Sequence, residues 1–539
     1  MKPTSMDRVS IILTMIIMLS FSLRLYPTLM TGLPLSTDSW PLILNTENLL
    51  RYTPINLEDS IFDGYNNYWP ASQVFGAITS IILNARVLDV ERILFPAIAS
   101  LTPVILYIIV KKNIGNRATA IISSLLLALG GYQAIFTSGV TKETFTLLVF
   151  FTLLYLVFIA GNTVTRSILL SITGIAIVMG HHLQYFLLLT IFSYILVLRL
   201  LLRRVDDGNL TRLIVALVTL LILGAAYYPL YALRGVRYSL TFSDILSLIS
   251  FQVSSLLISY YLLAGSKVNR PPISLFMVLA TSYIFLFANQ LVPVMPGSPK
   301  IPVNLLVQTL ILLMLGFFII IGFHTSRRQA GIANICFVFG WLSATLSLEV
   351  YSMFGAQPSM SLTLFYRLAN HILPPASIIA SIGLVRVMSL FKRKYLGVLS
   401  LAIILLPTSL TMVYQHYSSI ILQENYLGYQ WSYNTAEYEF ASWLSRKLID
   451  DLKVCGDMKV KYLLEGYYRI KVDEGEGFKI LNGGKPSEES LIATYKIMER
   501  NGYVLGPYGV ELKQGWIKNI SDRANKIFSN TFTEAYSIS

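Results

Sequence analysis

A hydrocarbon core about 30 Å thick demands roughly 17–25 consecutive apolar residues of any helix that crosses it. The chain carries thirteen such stretches, near residues 9–30, 92–110, 118–138, 144–161, 167–181, 183–201, 212–232, 245–265, 272–292, 302–323, 330–350, 369–390 and 395–416. In lipid every backbone N–H and C=O must be satisfied within the segment, so runs of this length predict helices. The expected fold is an all-α polytopic membrane protein. Composition agrees: 54% of the 539 residues are hydrophobic, 13% are charged, and the mean hydropathy is +0.61, against about a quarter charged in soluble chains. The first stretch is too long, and too poorly followed by small residues, for a cleaved signal peptide, so it reads as an anchor.

Charge orients the bundle. From residue 417 onward the chain has 15 Lys/Arg and 16 Asp/Glu, which leaves the net positive charge in the apolar part. There it reports orientation rather than nucleic acid. The run 70–85, PASQVFGAITSIILNA, is read as a helix lying in the interface. One side then holds the N-terminus, KKNIGNR, GNTVTR, RRVDDGNLTR, SKVNR, HTSRRQ and FKRK, with 16 Lys/Arg against about nine on the other. That side is predicted to be cytoplasmic and the C-terminal tail extracytoplasmic, in the cell membrane. Residues 1–416 form the expected transmembrane domain. Residues 417–539 form a small α/β outer domain, with WSYNTAEYEFASWLSRKLIDDL as an amphipathic helix and GDMKVKYLL and YRIKV as strands. Cys336 and Cys455 lie in an apolar run and the polar tail, so no disulfide between them and no CxxC-type metal site is expected.

The connection 31–91 is long and acidic at its start, with Asp38, Glu47, Glu58, Asp59 and Asp63 against the single base Arg51. Its Trp, Tyr and Ile content is not that of a disordered loop. Within it, LSTDSW carries Asp38 just past the first span, and YNNYWPASQVFGAI leads into the interfacial run. Further on come the segment from RVLDVERILFPAIAS to SGVTKETF, then SLEVYSM at 347–353 and YRL at 366–368. In their order and in their side of the membrane these segments resemble the GT-C glycosyltransferases, most closely the catalytic subunit of the oligosaccharyltransferases, over about residues 10–390. TDSW matches the family's first-loop Asp motif, SLEVYSM its fifth-loop motif ending in Glu, and YRL the position of an Arg that binds lipid phosphate.

The resemblance implies a polyprenyl-phosphate-dependent glycosyltransferase, with a lipid-linked sugar donor and a protein or glycan acceptor. Such a transfer needs a group that activates the acceptor and positive charge at the departing phosphate. Asp38 is the candidate for the first role, directly or through Mg²⁺ or Mn²⁺; the alternative is the N-cap of a helix starting at Ser39. Where the family brings two carboxylates in its second loop, SGVTKET offers Glu143 alone, preceded by Lys142. Lys142 is therefore a candidate phosphate ligand that replaces the metal. Glu143 is either a catalytic acid or an acid favoured by the dipole of the helix it opens. Asp38, Glu143 and Glu349 are the metal-ligand candidates, with Glu349 as an interfacial acid otherwise. Arg367 suits bidentate phosphate contact, or else pairs with a loop acid. His181 and His182 are adjacent, so their rings cannot share a helical face; they, with Tyr65, Tyr68 and Trp69, are candidate acceptor or sugar contacts, or structural residues of the interface.

The tail departs from the family. After WL (443–444) the chain reads VCGDMKV in place of the Trp-Trp-Asp-x-Gly motif that holds an acceptor sequon. An acceptor other than the Asn sequon is therefore expected, with a divergent oligosaccharyltransferase as the alternative. A lipid-linked sugar flippase or transporter would instead gather its acids and broken helices at mid-membrane.

Overall fold

A computed structural model of the chain describes residues 5–52, 64–158, 163–203, 208–235, 241–264, 315–326, 332–356, 358–391, 431–448, 452–505 and 508–538, with isolated helical positions at 291 and between 395 and 410. The membrane part begins with α1 (Ser5–Thr31), α2 (Ser39–Arg51), α3 (Ala71–Leu83), α4 (Val87–Ala99) and α5 (Thr102–Ile114). It continues through α6 (Arg117–Ala128), α7 (Gly131–Phe136), α8 (Lys142–Phe158), α9 (Thr163–Gly180), α10 (His182–Leu201), α11 (Gly208–Leu230) and α12 (Phe242–Ala264). Then come α13 (Leu315–Ser326), α14 (Ile332–Phe354) and α15 (Pro358–Leu390). Among the described residues, seven helical runs are long and apolar enough to cross a membrane. The expected spans at 272–292 and 395–416, half of that at 302–323, and the domain boundary at 416/417 lie outside the described residues.

Local chemistry sets the breaks. The expected span 92–110 is one apolar run, Val87–Ile114, interrupted at Ser100–Leu101, where Pro103 near the start of α5 lacks an N–H to continue the ladder. The stretch 118–138 divides at Leu129–Gly130, so α7 becomes a separate turn of helix between α6 and α8. The run 70–85, expected in the interface, forms α3, a helix of 13 residues, about 20 Å at 1.5 Å each and shorter than a hydrocarbon core. Its packed face is Ser72, Gln73, Gly76, Ala77 and Ser80, while Ile78, Ile81, Ile82 and Leu83 are exposed. That is a small, polar face against protein and an exposed apolar face.

The core of the bundle runs from Phe150, Phe151 and Leu154 of α8 through Ile191, Phe192 and Ile195 of α10 to Trp341 of α14 and Ile378 of α15. Two devices fix the connection 31–91 against it. Glu91 of α4 is buried and accepts a hydrogen bond from Thr46 Oγ1 of α2 at 2.8 Å. Gly76 of α3 leaves room for that carboxylate, since a Cβ there would come within 1.9 Å of Glu91 Oε1. The second device is a parallel bridge between Leu35 and Gly139, where a Cβ on Gly139 would meet the Leu35 carbonyl oxygen at 2.5 Å. Ser39 Oγ donates to the Leu35 carbonyl and accepts from the Val140 N–H at 2.9 Å. The connections that follow α1 and α7 are thus tied together on either side of the bridge.

The tail has its own core. It contains α16 (Thr435–Lys447), β1 (Lys453–Cys455), α17 (Met458–Leu464), β2 (Val472–Asp473), α18 (Glu474–Leu481), β3 (Ser490–Tyr495), α19 (Met498–Asn501), β4 (Tyr503–Leu505), β5 (Tyr508–Val510), α20 (Trp516–Arg523), β6 (Asn525–Ser529) and β7 (Thr533–Ile538). The five-stranded sheet has the order β2-β1-β3-β7-β6; β1 is parallel to β2 and β3, and β7 antiparallel to β3 and β6. The α16 helix starts on a capping box, Asn434 with Glu437. One expectation is corrected: GDMKVKYLL is not a strand. Asp457 ends β1 and accepts from the Val460 N–H, which starts α17 and overrides the alternating Met-Lys-Val-Lys pattern. Of YRIKV, only Val472 is in a strand. Both cysteines are buried and neither is in a disulfide.

Membrane part and tail meet at Trp40. Its ring is fully buried against Tyr433, Tyr438 and Tyr467, at centroid distances of 5.4, 5.7 and 5.6 Å. The Ser36 N–H donates to the Trp431 carbonyl at 2.8 Å, and the Tyr467 hydroxyl donates to Glu47 Oε1 at 3.0 Å. The tryptophan beside Asp38 is therefore the plug by which the tail grips the connection 31–91.

Candidate functional site

The two loop ties bring Asp38 and Glu143 to opposite sides of one guanidinium. Asp38 stands at the start of α2 with helical φ and ψ of −65° and −17°, and its side chain makes no capping hydrogen bond. It points instead at Arg367 of α15, Oδ2 to Nη2 at 3.7 Å. Glu143, in the first turn of α8, faces the same group, Oε2 to Nη1 at 3.7 Å. These separations are ion pairs rather than hydrogen bonds. Arg367 Nη1 also lies 3.3 Å from His181 Nε2; since an arginine only donates, that contact uses the unprotonated ring nitrogen of His181. On the far side of Glu143, Oε1 is 3.8 Å from His371 Nε2.

Exposure is graded across the cluster: 47% for the Asp38 side chain, 21% for Arg367, and 4% for Glu143. The open end is therefore the Asp38 end. Arg367 Nε has no hydrogen-bond partner, so the fork keeps donor capacity for a ligand such as a phosphate. Around the mouth, Tyr366, Phe136 and Trp431 form a triangle of rings 5.7–6.3 Å apart. Tyr132 donates its hydroxyl to the Tyr366 carbonyl at 2.6 Å. The tail reaches the site as well: the Asp38 carboxylate, aided by burial, holds the Tyr462 hydroxyl above the ordinary phenol range.

The other sequence candidates are arranged differently. Lys142 is buried and donates to Asn66 Oδ1 at 2.8 Å, with its ammonium 5.4 Å from the centre of the Trp69 ring. His182 turns its ring onto Trp69 at 4.9 Å, while His181 meets Arg367, so the adjacent pair does serve two directions. Trp69 is fully buried and Tyr68 packs against Tyr231 at 5.2 Å. Tyr65 belongs to the short turn Gly64–Tyr68, its side chain outside the described residues. Glu349 is in α14 and, among the described residues, forms no ion pair with the cluster; its Oε2 is buried without a hydrogen bond.

A divalent cation needs several oxygen or nitrogen donors converging at about 2.0–2.6 Å. Among the described residues no three His, Cys, Asp or Glu side chains gather in that way. The two carboxylates that do approach one another are held around a guanidinium, and Glu349 does not join them, so the donor set does not fit a metal. His371 escapes a motif-by-motif reading, yet it lies four residues after Arg367. That is one helical turn on the same face, and it was the available signal. Tyr366, Phe136, Trp431 and Tyr462 carry no such signal, because only the tertiary fold brings them together.

No family model matches the sequence, and no curated protein matches it. Solved structures do match. The apo oligosaccharyltransferase of Archaeoglobus fulgidus is similar with a TM-score of 0.62 at 12% identity, over 99% of this chain and 75% of that one. The archaeal oligosaccharyltransferase AglB from the same organism, in complex with an inhibitory peptide and a dolichol-phosphate, gives 0.58 at 12% identity, over 90% and 69%. The chain thus shares, over nearly its whole length, the fold of these two archaeal oligosaccharyltransferase structures.

Proposed function

We propose that the chain is an integral-membrane glycosyltransferase, moving a sugar or glycan from a polyprenyl-(di)phosphate donor to an acceptor on the outer face. The observation that carries this reading is the Arg367 guanidinium, flanked by Asp38 and Glu143 at 3.7 Å each, with the half-exposed Asp38 carboxylate on its open side. Arg367 receives the donor phosphate; Asp38 orients the acceptor and takes its proton. The acceptor atom bonds to the anomeric carbon as the bond from that carbon to the phosphate oxygen breaks, and the polyprenyl (di)phosphate leaves with the electron pair. Glu143, anchored in the first turn of α8, keeps Arg367 at the mouth. A dolichol-phosphate and a peptide are bound in the AglB structure, and those are the two ligand classes proposed here. The N-terminus is cytoplasmic and the tail outside, as the basic loops direct.

Membranes containing the protein, given polyprenyl-phosphate-linked radiolabelled sugar, should lose label from the lipid fraction to an acceptor. Mass spectrometry of surface glycans and lipid-linked sugars in a deletion strain would name both. Label that stays on lipid in membranes of native composition refutes the reading. A divergent oligosaccharyltransferase is the second reading, favoured by the fold; modification of an Asn-x-Thr peptide would establish it. Against it stands the VCGD segment, in which Cys455 and Asp457 are fully buried and Asp457 is bonded to Tyr495, Val460 and Val504.

A further inference from the structure

We infer that Arg367 is the resident cation of this site, occupying the position between Asp38 and Glu143 that a divalent metal would otherwise need. The inference rests on reading the cluster as the transfer site, but its first test does not depend on transfer. Three observations carry it. One guanidinium approaches both carboxylates, 3.7 Å from Asp38 Oδ2 through Nη2 and 3.7 Å from Glu143 Oε2 through Nη1. A metal bridging those oxygens would have to displace it. The remaining neighbours also suit a guanidinium. His181 offers Nε2 to Nη1 at 3.3 Å, and Arg367 accounts for that nitrogen's lone pair without a metal. And among the described residues no third carboxylate closes a coordination shell, because Glu349 stays with α14.

The sequence pointed to Lys142 for this duty. The fold gives the duty to Arg367, because Lys142 is turned toward Asn66 and Trp69. The chemistry differs from that of a metal ion in one respect. A guanidinium is charged at every physiological pH and offers five N–H donors in a plane. At 3.7 Å from the carboxylates it is held by charge without spending hydrogen bonds on them, and among the described residues Nε has no hydrogen-bond partner. The same group can therefore hold the two acids together and turn donors toward a phosphate.

The test is metal binding by the full-length protein in detergent or nanodiscs, read by titration calorimetry and Mn²⁺ electron paramagnetic resonance. The wild type should bind Mn²⁺ no tighter than millimolar, and neither Mn²⁺ nor EDTA should shift its melting temperature. Arg367→Ala opens the space between two facing carboxylates, so its Mn²⁺ affinity should rise at least tenfold. Asp38→Asn in the Arg367→Ala background should abolish that gain. If Arg367→Ala does not fold, Arg367→Gln, closer to the original shape, takes its place. Micromolar Mn²⁺ binding by the wild type that disappears in Asp38→Asn overturns the inference, as does an uncharged variant that binds Mn²⁺ no better than the wild type. Transfer activity, once assayed, should persist in EDTA; abolition by EDTA with recovery on Mn²⁺ also overturns it. A protein with no transfer activity but the expected binding pattern sinks the proposed function and leaves the cation assignment standing.

Discussion

Asp38 shows how far a single residue could be read in advance. An acid beside a predicted helix start is either a cap or a reactive group, and the sequence leaves both open. The backbone removes the first: Asp38 has helical torsions and no side-chain cap, and its carboxylate is turned to Arg367. Asp38→Asn keeps the shape and removes the charge, so turnover should fall by about 10²–10⁴ in a lipid-to-acceptor assay. Its melting temperature should barely move, because a half-exposed side chain without hydrogen bonds has little stability to lose. An Asn variant with full activity would leave Asp38 as a mere neighbour. Arg367→Lys tests the companion role: it retains charge but not the planar fork, so donor KM should rise more than kcat falls. Arg367 was legible because a lone arginine at the mouth of a span has few uses. The destination of Lys142 was not, since which way a first-turn side chain points depends on Asn66 and Trp69, more than seventy residues earlier.

At the scale of elements, hydrophobic run length located the helices well, because lipid permits little else. It located their ends poorly. The stretch 118–138 reads as one apolar segment, yet α6 stops at Ala128 and α7 stands apart; α17 reads as a strand and folds as a helix once Asp457 caps it. The tie between the two connections was invisible. It rests on the Leu35–Gly139 bridge and on Ser39 Oγ, and neither leaves a periodic trace. Gly139→Ala would drive a methyl to 2.5 Å from the Leu35 carbonyl oxygen, a distance that only a backbone shift relieves. Activity should drop at least tenfold while membrane insertion and overall yield persist, as measured by transfer assay and detergent-extracted protein level. An active Gly139→Ala enzyme would mean that the bridge does not set the separation of Asp38 from Glu143.

For the whole molecule, the charge distribution predicts an orientation that reporter fusions can check. Fusions after residues 115, 205, 268, 327 and 393 should report cytoplasm, and those after 60, 297 and 430 the outside; a cytoplasmic signal at 430 refutes the scheme. The tail carries a pH signature of its own. Burial lifts the Asp457 carboxyl to about 6, from 3.8 in an unfolded chain, against the hydrogen bonds from Tyr495, Val460 and Val504. Between those values the folded tail holds a proton that the unfolded chain releases. The contribution is therefore complete below about pH 4 and is lost as pH rises through 6. Thermal unfolding of the full-length protein, followed by tail fluorescence from pH 4 to 7.5, should show this loss in the wild type and not in Asp457→Asn. An unchanged slope in the variant would assign the titration elsewhere.

Trp40 gives the molecule a schedule. It follows Asp38 by two residues and belongs to a segment that leaves the ribosome early in synthesis, yet its buried ring is enclosed by Tyr433, Tyr438 and Tyr467, which are made some four hundred residues later. A nascent chain can thread every earlier helix into the bilayer and still lack the wall against which TDSW rests. Burying a tryptophan contributes about 3–5 kcal/mol, enough to make the late docking step decisive for the early loop. Chains stopped at residue 430 should thus insert normally and be catalytically silent, with Asp38 open to protease. On the proposed function, competence would arrive only once the tail has docked, so a half-made chain would not yet act on its donor.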